Sequence, residues 1–509
     1  MIKRKHASPM STQSDSLPKQ ISNSQPANSR ATRRTASHKL LLRTIIPIVV
    51  LYFVLLGNLK WQTKPSQRFE VRADEPPKEK VLENTKFHLV FSTGCSLWQD
   101  WQSLVFFYHV KKVGQVGNVT RIISGCDPAQ THQLETFHRQ YIQNTLSSNF
   151  YLHFTPDFST VVPNVEYVYF NKPFGLKHWM EKKLGYSSSK SVTNNTHDED
   201  VIFLLDPDQI LLRPLTNDYS DTDMRWVDRP NMGFSKRIQH ETTFAQQYAF
   251  GNNWITRVNL THVMTHFAND EYSPSLLWKI KAKSAKRFAA GPPYIATAKD
   301  MYRIVTYWAN FVPLVYESFP NLLAEMYAYS LAAMHVHRRP FTALGFMVSI
   351  TNQYHVKEGW YWIEEQQPSP SIRSVCTKSS MSKGESVPFL LHYCQLYNLG
   401  HAFFVKYWVP NNFTHCGSPL LSEPSPKDLV NFDYGINPKT RELIEFENTT
   451  ITKQKRALRE AWILCTLMPA INEAIAFFKH QYCPKNAYIN LQKVGITGDI
   501  NTWLTSMVG

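Results

Sequence analysis

Two carboxylates stand two residues apart where an apolar run ends, in Leu204-Leu-Asp-Pro-Asp208. Such a pair, released from the end of a strand, can share one hard divalent cation, and that cation keeps open positions for the oxygens of a diphosphate. The spacing recurs in the chain, at Asp198/Asp200, Asp206/Asp208 and Asp221/Asp223. Spacing alone therefore decides little, and context has to separate the pairs. Only Asp206 and Asp208 follow a five-residue apolar run, Val201-Ile-Phe-Leu-Leu205; the other two pairs sit in polar, loop-like composition. The competing reading of Asp206/Asp208 is a solvated turn at a strand end.

Other residues can join such a site. His392 ends the apolar run Pro388-Phe-Leu-Leu-His392 and suits a third ligand, since a neutral imidazole binds Mn²⁺-type ions; otherwise it is a satisfied core histidine. Glu325 is the one acid in the apolar segment 321–335. Read as chemistry, it is the catalytic candidate, a carboxylate near the reacting centre. Read as structure, it anchors its helix by a salt bridge to Arg338 or Arg339. Lys172 lies on the turn Asn171-Lys-Pro173 and can meet a phosphate, unless it is a surface lysine. Thr93, at the end of the run Phe87-His-Leu-Val-Phe-Ser-Thr93, and Asn171 complete the group facing a cofactor or donor. Trp98 and Trp101 read as core rather than as sugar platforms. The sequence shows no P-loop, dinucleotide fingerprint, zinc spacing or Gly-x-Ser-x-Gly elbow.

The elements that must position these residues alternate in type. Phe87–Thr93 reads as a strand, Trp98, Trp101, Val105 and Tyr108 follow at helical spacing, and Val119–Ser124 is a β-branched strand. Tyr167–Phe170 reads as a strand turning into a helix from Phe174 to about Lys183. Val201–Leu205 is a buried strand. Pro293–Thr297 precedes an amphipathic helix from about Lys299 to Tyr316, and Asn321–His335 is a further helix. Glu442–His480 reads as mostly helical, punctuated by Pro469. This grammar predicts a parallel α/β sheet.

The chain has 509 residues, 43% hydrophobic, which excludes a disordered protein and leaves room for a large core. Its formal charge of +15 suggests nucleic acid, but the distribution argues for another cause. Residues 1–85 hold 15 Lys/Arg and 6 Asp/Glu, leaving only +6 for the rest. The predicted organisation is a disordered basic cytoplasmic tail (1–39), a transmembrane signal anchor (40–59) and a stem linker (60–86). A catalytic domain (87–420) and a mostly helical C-terminal region (421–509) follow. Leu40–Leu59 is 20 residues of mainly apolar sequence, enough to span a bilayer. Arg30, Arg33, Arg34 and Lys39 before it predict a cytoplasmic tail and a type II, single-pass orientation. A cleaved signal peptide would have a short n-region and a small-residue cleavage site, which this segment lacks.

Five glycosylation sequons, at Asn118, Asn194, Asn259, Asn412 and Asn448, and all seven cysteines follow the apolar run, as expected for a luminal domain. An odd count leaves at least one cysteine outside an internal disulfide. Cys465 and Cys483 would be about 27 Å apart on one unbroken helix, so only a break at Pro469 would let them pair.

Taken in order, the motifs resemble the hydroxyproline O-arabinosyltransferases and the related peptidyl serine O-galactosyltransferases. The resemblance is carried by Phe87-His-Leu-Val, Val119-Thr-Arg-Ile-Ile-Ser-Gly125 and Tyr167-Val-Tyr-Phe-Asn-Lys-Pro173 with Trp179-Met-Glu181. Leu205-Asp-Pro-Asp-Gln-Ile-Leu-Leu-Arg-Pro-Leu215, Leu323-Ala-Glu-Met-Tyr-Ala-Tyr329 and Phe389-Leu-Leu-His-Tyr393 complete it. It implies a GT-A-type, Rossmann-like mixed sheet that binds a nucleotide sugar, with a UDP-sugar donor and a Mn²⁺ or Mg²⁺ ion. It further implies a hydroxyproline or serine hydroxyl of a secretory-pathway protein as acceptor, and a Golgi or endoplasmic reticulum membrane as location. On this reading Asp206, Asp208 and His392 are metal ligands, and Asp206 also reaches the ribose. The plant arabinosyltransferases have a Glu-Pro-Asp-His-like pattern where this chain has Asp-Pro-Asp-Gln, a change that keeps both carboxylates. The alternative to an enzyme is a non-catalytic luminal binding or scaffold protein on the same fold.

Overall fold

The computed structural model describes residues 86–187, 195–227, 235–248, 250–272, 279, 285–352, 358–366, 369–377, 387–430, 433–437, 440, 442–446 and 452–494. The tail, the anchor expected at 40–59, nearly all of the expected linker, and the sequons at Asn194 and Asn448 lie outside the described residues.

A seven-stranded sheet has the order β3-β2-β1-β4-β7-β6-β8. Its strands are β1 (Phe87–Gly94), β2 (Asn118–Ser124), β3 (Phe150–Thr155), β4 (Val201–Leu205), β6 (Thr243–Gln247), β7 (Ala290–Thr297) and β8 (Pro340–Ala343). β3, β2, β1 and β4 are parallel, β7 runs antiparallel to both its neighbours, and β8 pairs parallel with β6. The sheet is therefore mixed rather than wholly parallel. Leu89, Val90 and Phe91 of β1 and all of β4 are buried, which is why both strands read as continuous apolar runs. Pro292 and Pro293 are tolerated in β7 because the ladder with β6 slips between Ala245 and Gln246, so these prolines face a bulge.

Helices cover the sheet. α1 (Leu97–Lys112) follows β1, α2 (Pro128–His138) follows β2, and α3 (Asn171–Lys183) leads towards β4. Gly175 lets α3 come close to β2: a Cβ there would stand 3.0 Å from Ile122 Cγ2. α4 (Ala298–Ser318) and α5 (Ala324–His335) build one core with α3. A second core surrounds α6 (Lys453–Tyr482) and a small sheet in which β10 (Leu390–His392) lies between β5 (Gln209–Leu211) and β9 (Met347–Val348). Helix α6 is long and apolar enough to cross a membrane, but its apolar face is buried in this core.

Several expectations are corrected. Tyr167–Phe170 is not a strand: Val168–Phe170 is a 3-10 turn that runs directly into α3. The helix starts at Asn171 rather than Phe174, because Pro173 falls in its first turn, where its missing N–H costs nothing. The α5 helix starts at Ala324 rather than Asn321. Pro469 does not interrupt α6, and a short strand, Leu443–Glu445, precedes that helix. Leu420–Leu421 forms a short strand that pairs parallel with Lys493–Val494. Disulfides join Cys95–Cys126, Cys376–Cys465 and Cys416–Cys483, so Cys465 and Cys483 each find another partner and Cys394 stays a thiol. Asp198 and Asp200 are buried rather than loop-exposed: Asp198 accepts from Tyr186 Oη, and Asp200 pairs with His88 and His197.

Candidate active site

The end of β4 delivers Asp206, and the chain turns at once into β5, placing Asp208 just before it. Gln209 Oε1 accepts from the Asp206 N–H at 3.1 Å and holds this turn. β10 then pairs antiparallel with β5 in the register His392↔Gln209. That register, closed by Tyr393 N–H donating to the Asp208 carbonyl at 3.0 Å, brings His392 beside Asp208. His392 Nε2 lies 3.3 Å from Asp208 Oδ1 and 3.8 Å from Asp206 Oδ2. One donor atom from each of Asp206, Asp208 and His392 lies within 4.8 Å of the others. Two carboxylate oxygens and one imidazole nitrogen in that space suit Mn²⁺ or Mg²⁺.

Two ammonium groups balance the carboxylates. Lys172, in the first turn of α3, places Nζ 2.6 Å from Asp206 Oδ1 and 3.5 Å from Glu325 Oε1. Lys406 places Nζ 2.5 Å from Asp208 Oδ2. Burial opposes the charge on Asp208, yet Lys406 and His392 outweigh it and hold this carboxyl well below the usual carboxylate range. Burial likewise opposes the charge on Lys172, but Asp206 and Glu325 push its pKa up; for Lys406, Asp208 has the same effect. His392 follows suit: burial disfavours its cation, but Cys394 and Asp208 more than compensate.

Glu325 stands one ammonium away from Asp206. It sits in the first turn of α5, where the helix dipole favours a carboxylate. Its backbone is fixed from both sides, the N–H donating to Tyr167 Oη at 3.2 Å and the carbonyl accepting from Trp308 Nε1 at 2.8 Å. Burial pushes its carboxyl up to about 7, with Lys172 lowering and Asp206 raising it. The salt-bridge partner expected for it, Arg338 or Arg339, is not the one found. Arg338 is taken by Asp300 at 2.5 Å, and Lys172 faces Glu325 instead.

The structure thus gathers Asp206, Asp208, His392, Lys172 and Glu325. Thr93 and Asn171 are engaged elsewhere in the fold. The Thr93 hydroxyl donates to the Ile122 carbonyl at 3.3 Å and accepts from Arg121 Nε at 2.9 Å. Asn171 accepts from the Phe158 N–H at 2.7 Å and donates to Asp157 at 3.0 Å. Lys406 was missed by sequence reasoning. Its signal was a single charge within the apolar run Phe403-Phe-Val-Lys-Tyr-Trp-Val409, which marks a buried and hence paired ammonium. Trp101 is core as expected, but Trp98 is half-buried, donates to the Lys406 carbonyl at 3.3 Å and stacks on exposed Tyr407 with ring centroids 5.3 Å apart. A separate cavity of about 610 Å³, lined among others by Asp100, Arg121, Gln133, His138 and Tyr482, includes none of the clustered residues.

Residues 87–227 match the hydroxyproline O-arabinosyltransferase family N-terminal domain. A peptidyl serine alpha-galactosyltransferase of Arabidopsis thaliana is 29% identical over 145 residues, 28% of this chain; the match spans 15% of that protein's length. Among solved structures, the galactosyltransferase LgtC in complex with donor and acceptor sugar analogues is 10% identical. That likeness covers 60% of this chain and 87% of LgtC at a TM-score of 0.30. The apo glycosyltransferase GlyE of Streptococcus pneumoniae is 13% identical over 61% of this chain and 55% of its own, at a TM-score of 0.29. The segment 87–227, which holds β1 to β4, Lys172, Asp206 and Asp208, is the part of the chain that is similar to the hydroxyproline O-arabinosyltransferase family and to the peptidyl serine galactosyltransferase.

Proposed function

We propose that this chain is a membrane-anchored glycosyltransferase of the secretory pathway. It moves a pentose or hexose from a UDP-sugar to a hydroxyproline or serine hydroxyl of an acceptor protein, on a GT-A-type fold. The observation that carries this reading is the convergence of Asp206, Asp208 and His392 at the carboxyl end of β4, ringed by Lys172, Lys406 and Glu325. Open α/β sheets bind ligands at that edge. The family match and the arabidopsis relative support the choice of reaction class.

Asp206, Asp208 and His392 would hold the divalent ion, which supplies Lewis-acid stabilisation of the departing diphosphate. Lys406 starts on Asp208 and is placed to turn its ammonium to the diphosphate oxygens, adding a second positive charge where negative charge develops. Lys172 fixes Asp206 and keeps Glu325 close to the site. Glu325 acts as the carboxylate beside the sugar and the acceptor hydroxyl, with a proton affinity suited to neutral pH. Trp98 and Tyr407 form the lip over Lys406. The Golgi or endoplasmic reticulum membrane is the proposed location, with the catalytic unit luminal.

The test is a panel of UDP-sugars incubated with the full-length protein in detergent, with Mn²⁺ or with EDTA, reading released UDP. One sugar should be turned over only with metal. Metal-dependent UDP binding with no turnover of any sugar would instead support the non-catalytic scaffold.

A further inference from the structure

The sheet carries a second cluster of ligating side chains at the edge opposite Asp206. His88 is the second residue of β1, and Asp200 immediately precedes β4. Because β1 and β4 pair in the register Phe87↔Val201, these two residues are close across the strand pair. His88 Nε2 lies 2.9 Å from Asp200 Oδ2, and His197 Nδ1 lies 2.7 Å from that same oxygen. The three atoms fall within 4.8 Å of one another. Asp200 Oδ1 accepts from the Lys86 N–H at 3.3 Å, which orients the carboxylate. The His88 ring is held edge-on to Trp179, with centroids 5.7 Å apart. His88 and Asp200 are buried, whereas the His197 side chain is 28% exposed.

We propose that His88, His197 and Asp200 form a second metal site, selective for zinc and distinct from the reaction site. Two imidazoles and one carboxylate are a zinc-type donor set, softer than the two carboxylates and one imidazole at the other edge. Tetrahedral bonds of about 2.0–2.1 Å put neighbouring ligand atoms roughly 3.3 Å apart, so the two nitrogens need to move from Asp200 Oδ2 by only a fraction of an ångström. Each imidazole then carries its proton on the nitrogen that faces away from the ion. The Lys86 N–H and the Trp179 edge supply the outer contacts that keep metal ligands in place. The exposed flank of His197 gives the entry path and the position for a fourth, water ligand. β4 separates the two sites by roughly 20 Å, at about 3.3 Å per residue, so this ion braces the start of β1 and β4 and touches no reacting atom.

The test uses the full-length protein, stripped with chelator and equilibrated with Zn²⁺ in excess Mn²⁺. Bound zinc is counted after gel filtration, and melting temperature is read with and without zinc. One zinc per chain is expected in the wild type and in Asp208→Asn, with retention at least tenfold weaker in His197→Ala. Zinc should raise the melting temperature of the wild type but not of His197→Ala. His197 is partly exposed, so its replacement leaves the fold intact; His88→Gln is the second variant and should also lose the ion. Equal zinc retention in the wild type and His197→Ala, loss in Asp208→Asn alone, or no zinc retained by the wild type would each overturn the proposal.

Discussion

The two ends of the β1–β4 pair carry clusters built from the same residue types in opposite proportion. At the carboxyl edge, Asp206 and Asp208 outnumber His392, and their charge is met by Lys172 and Lys406, which come from other parts of the chain. At the amino edge, His88 and His197 outnumber Asp200 and satisfy it with no ammonium within salt-bridge distance of that carboxylate among the described residues. The first arrangement is a set of charges that a multivalent ligand can rearrange. The second is a compact set in which both imidazoles already face one carboxylate oxygen, so an ion binding there stabilises without inviting a substrate. Geometry at the two ends is alike; the source of the counter-charge separates them.

Four measurements would break or sharpen this contrast. The largest effect is expected from Asp208→Asn, which removes the carboxylate that both His392 and Lys406 face: turnover should fall on the order of 10³-fold, about 4 kcal/mol. Steady-state kinetics on the active UDP-sugar checks this, and a loss under tenfold would remove Asp208 from the reaction.

Next comes a buried acid that belongs to neither cluster. Glu460 is buried like Asp208, but among the described residues its cationic partner is Arg456 at 3.8 Å, in place of a close ammonium. Burial pushes it up to about 7, against Thr351, Arg456 and the Asn398 N–H, while Asp208 moves the other way. A raised carboxyl favours the folded state fully below its unfolded pKa near 4.5, and that contribution is lost as pH rises through about 7. The stability advantage of the wild type over Glu460→Gln, followed by melting temperature at each pH, should therefore be largest at pH 5 and shrink by pH 8, by up to about 3 kcal/mol of unfolding free energy. An advantage that does not change over this range would contradict the assignment.

A smaller effect is expected of Lys406→Met. Turnover should fall roughly 10- to 100-fold, about 1.4–2.7 kcal/mol, while Mn²⁺ binding, followed by electron paramagnetic resonance, persists. Loss of Mn²⁺ binding along with turnover would mean that Lys406 only shapes the ligand set. Smallest is Trp98→Ala, which removes one hydrogen bond to the Lys406 carbonyl and the stack on Tyr407. A several-fold drop in turnover, about 1 kcal/mol, is expected from the same kinetics.

Sequence pattern carried some of this and not the rest. β1 and β4 were legible because strands buried on both faces read as unbroken apolar runs, and Asp206/Asp208 were legible because they break one. His392 was legible for the same reason, but its pairing partner β5 is only three residues long and gives no pattern of its own. Tyr167–Phe170 misled because an aromatic run looks like a strand, whereas only Tyr167 and Phe170 are buried, at a spacing that fits a tight helical turn. The lone charge of Lys406 in an apolar run was legible, but its pairing with Asp208 and that of Glu325 with Lys172 were not, because the partners lie 198 and 153 residues apart and no local periodicity records that. Asp200 looked solvated because His197 lies within the polar stretch before it and His88, the other residue that encloses it, lies 112 residues upstream in β1.

The distance along the chain from Asp208 to Lys406 is also an interval of time. A ribosome adding 5–20 residues per second delivers the second roughly 10–40 s after the first. Lys172 is made before Asp206, so that carboxylate has its counter-charge from the outset. Asp208 must wait, exposed, while β6, β7, α4, α5 and β8 are completed. It becomes buried only when β10 has found β5 and the turn at Lys406 has closed over it. The nascent chain can therefore finish its large sheet well before it owns a working site. A chain that stalls in that interval presents Asp208 without its ammonium, open to any cation, on an otherwise folded surface.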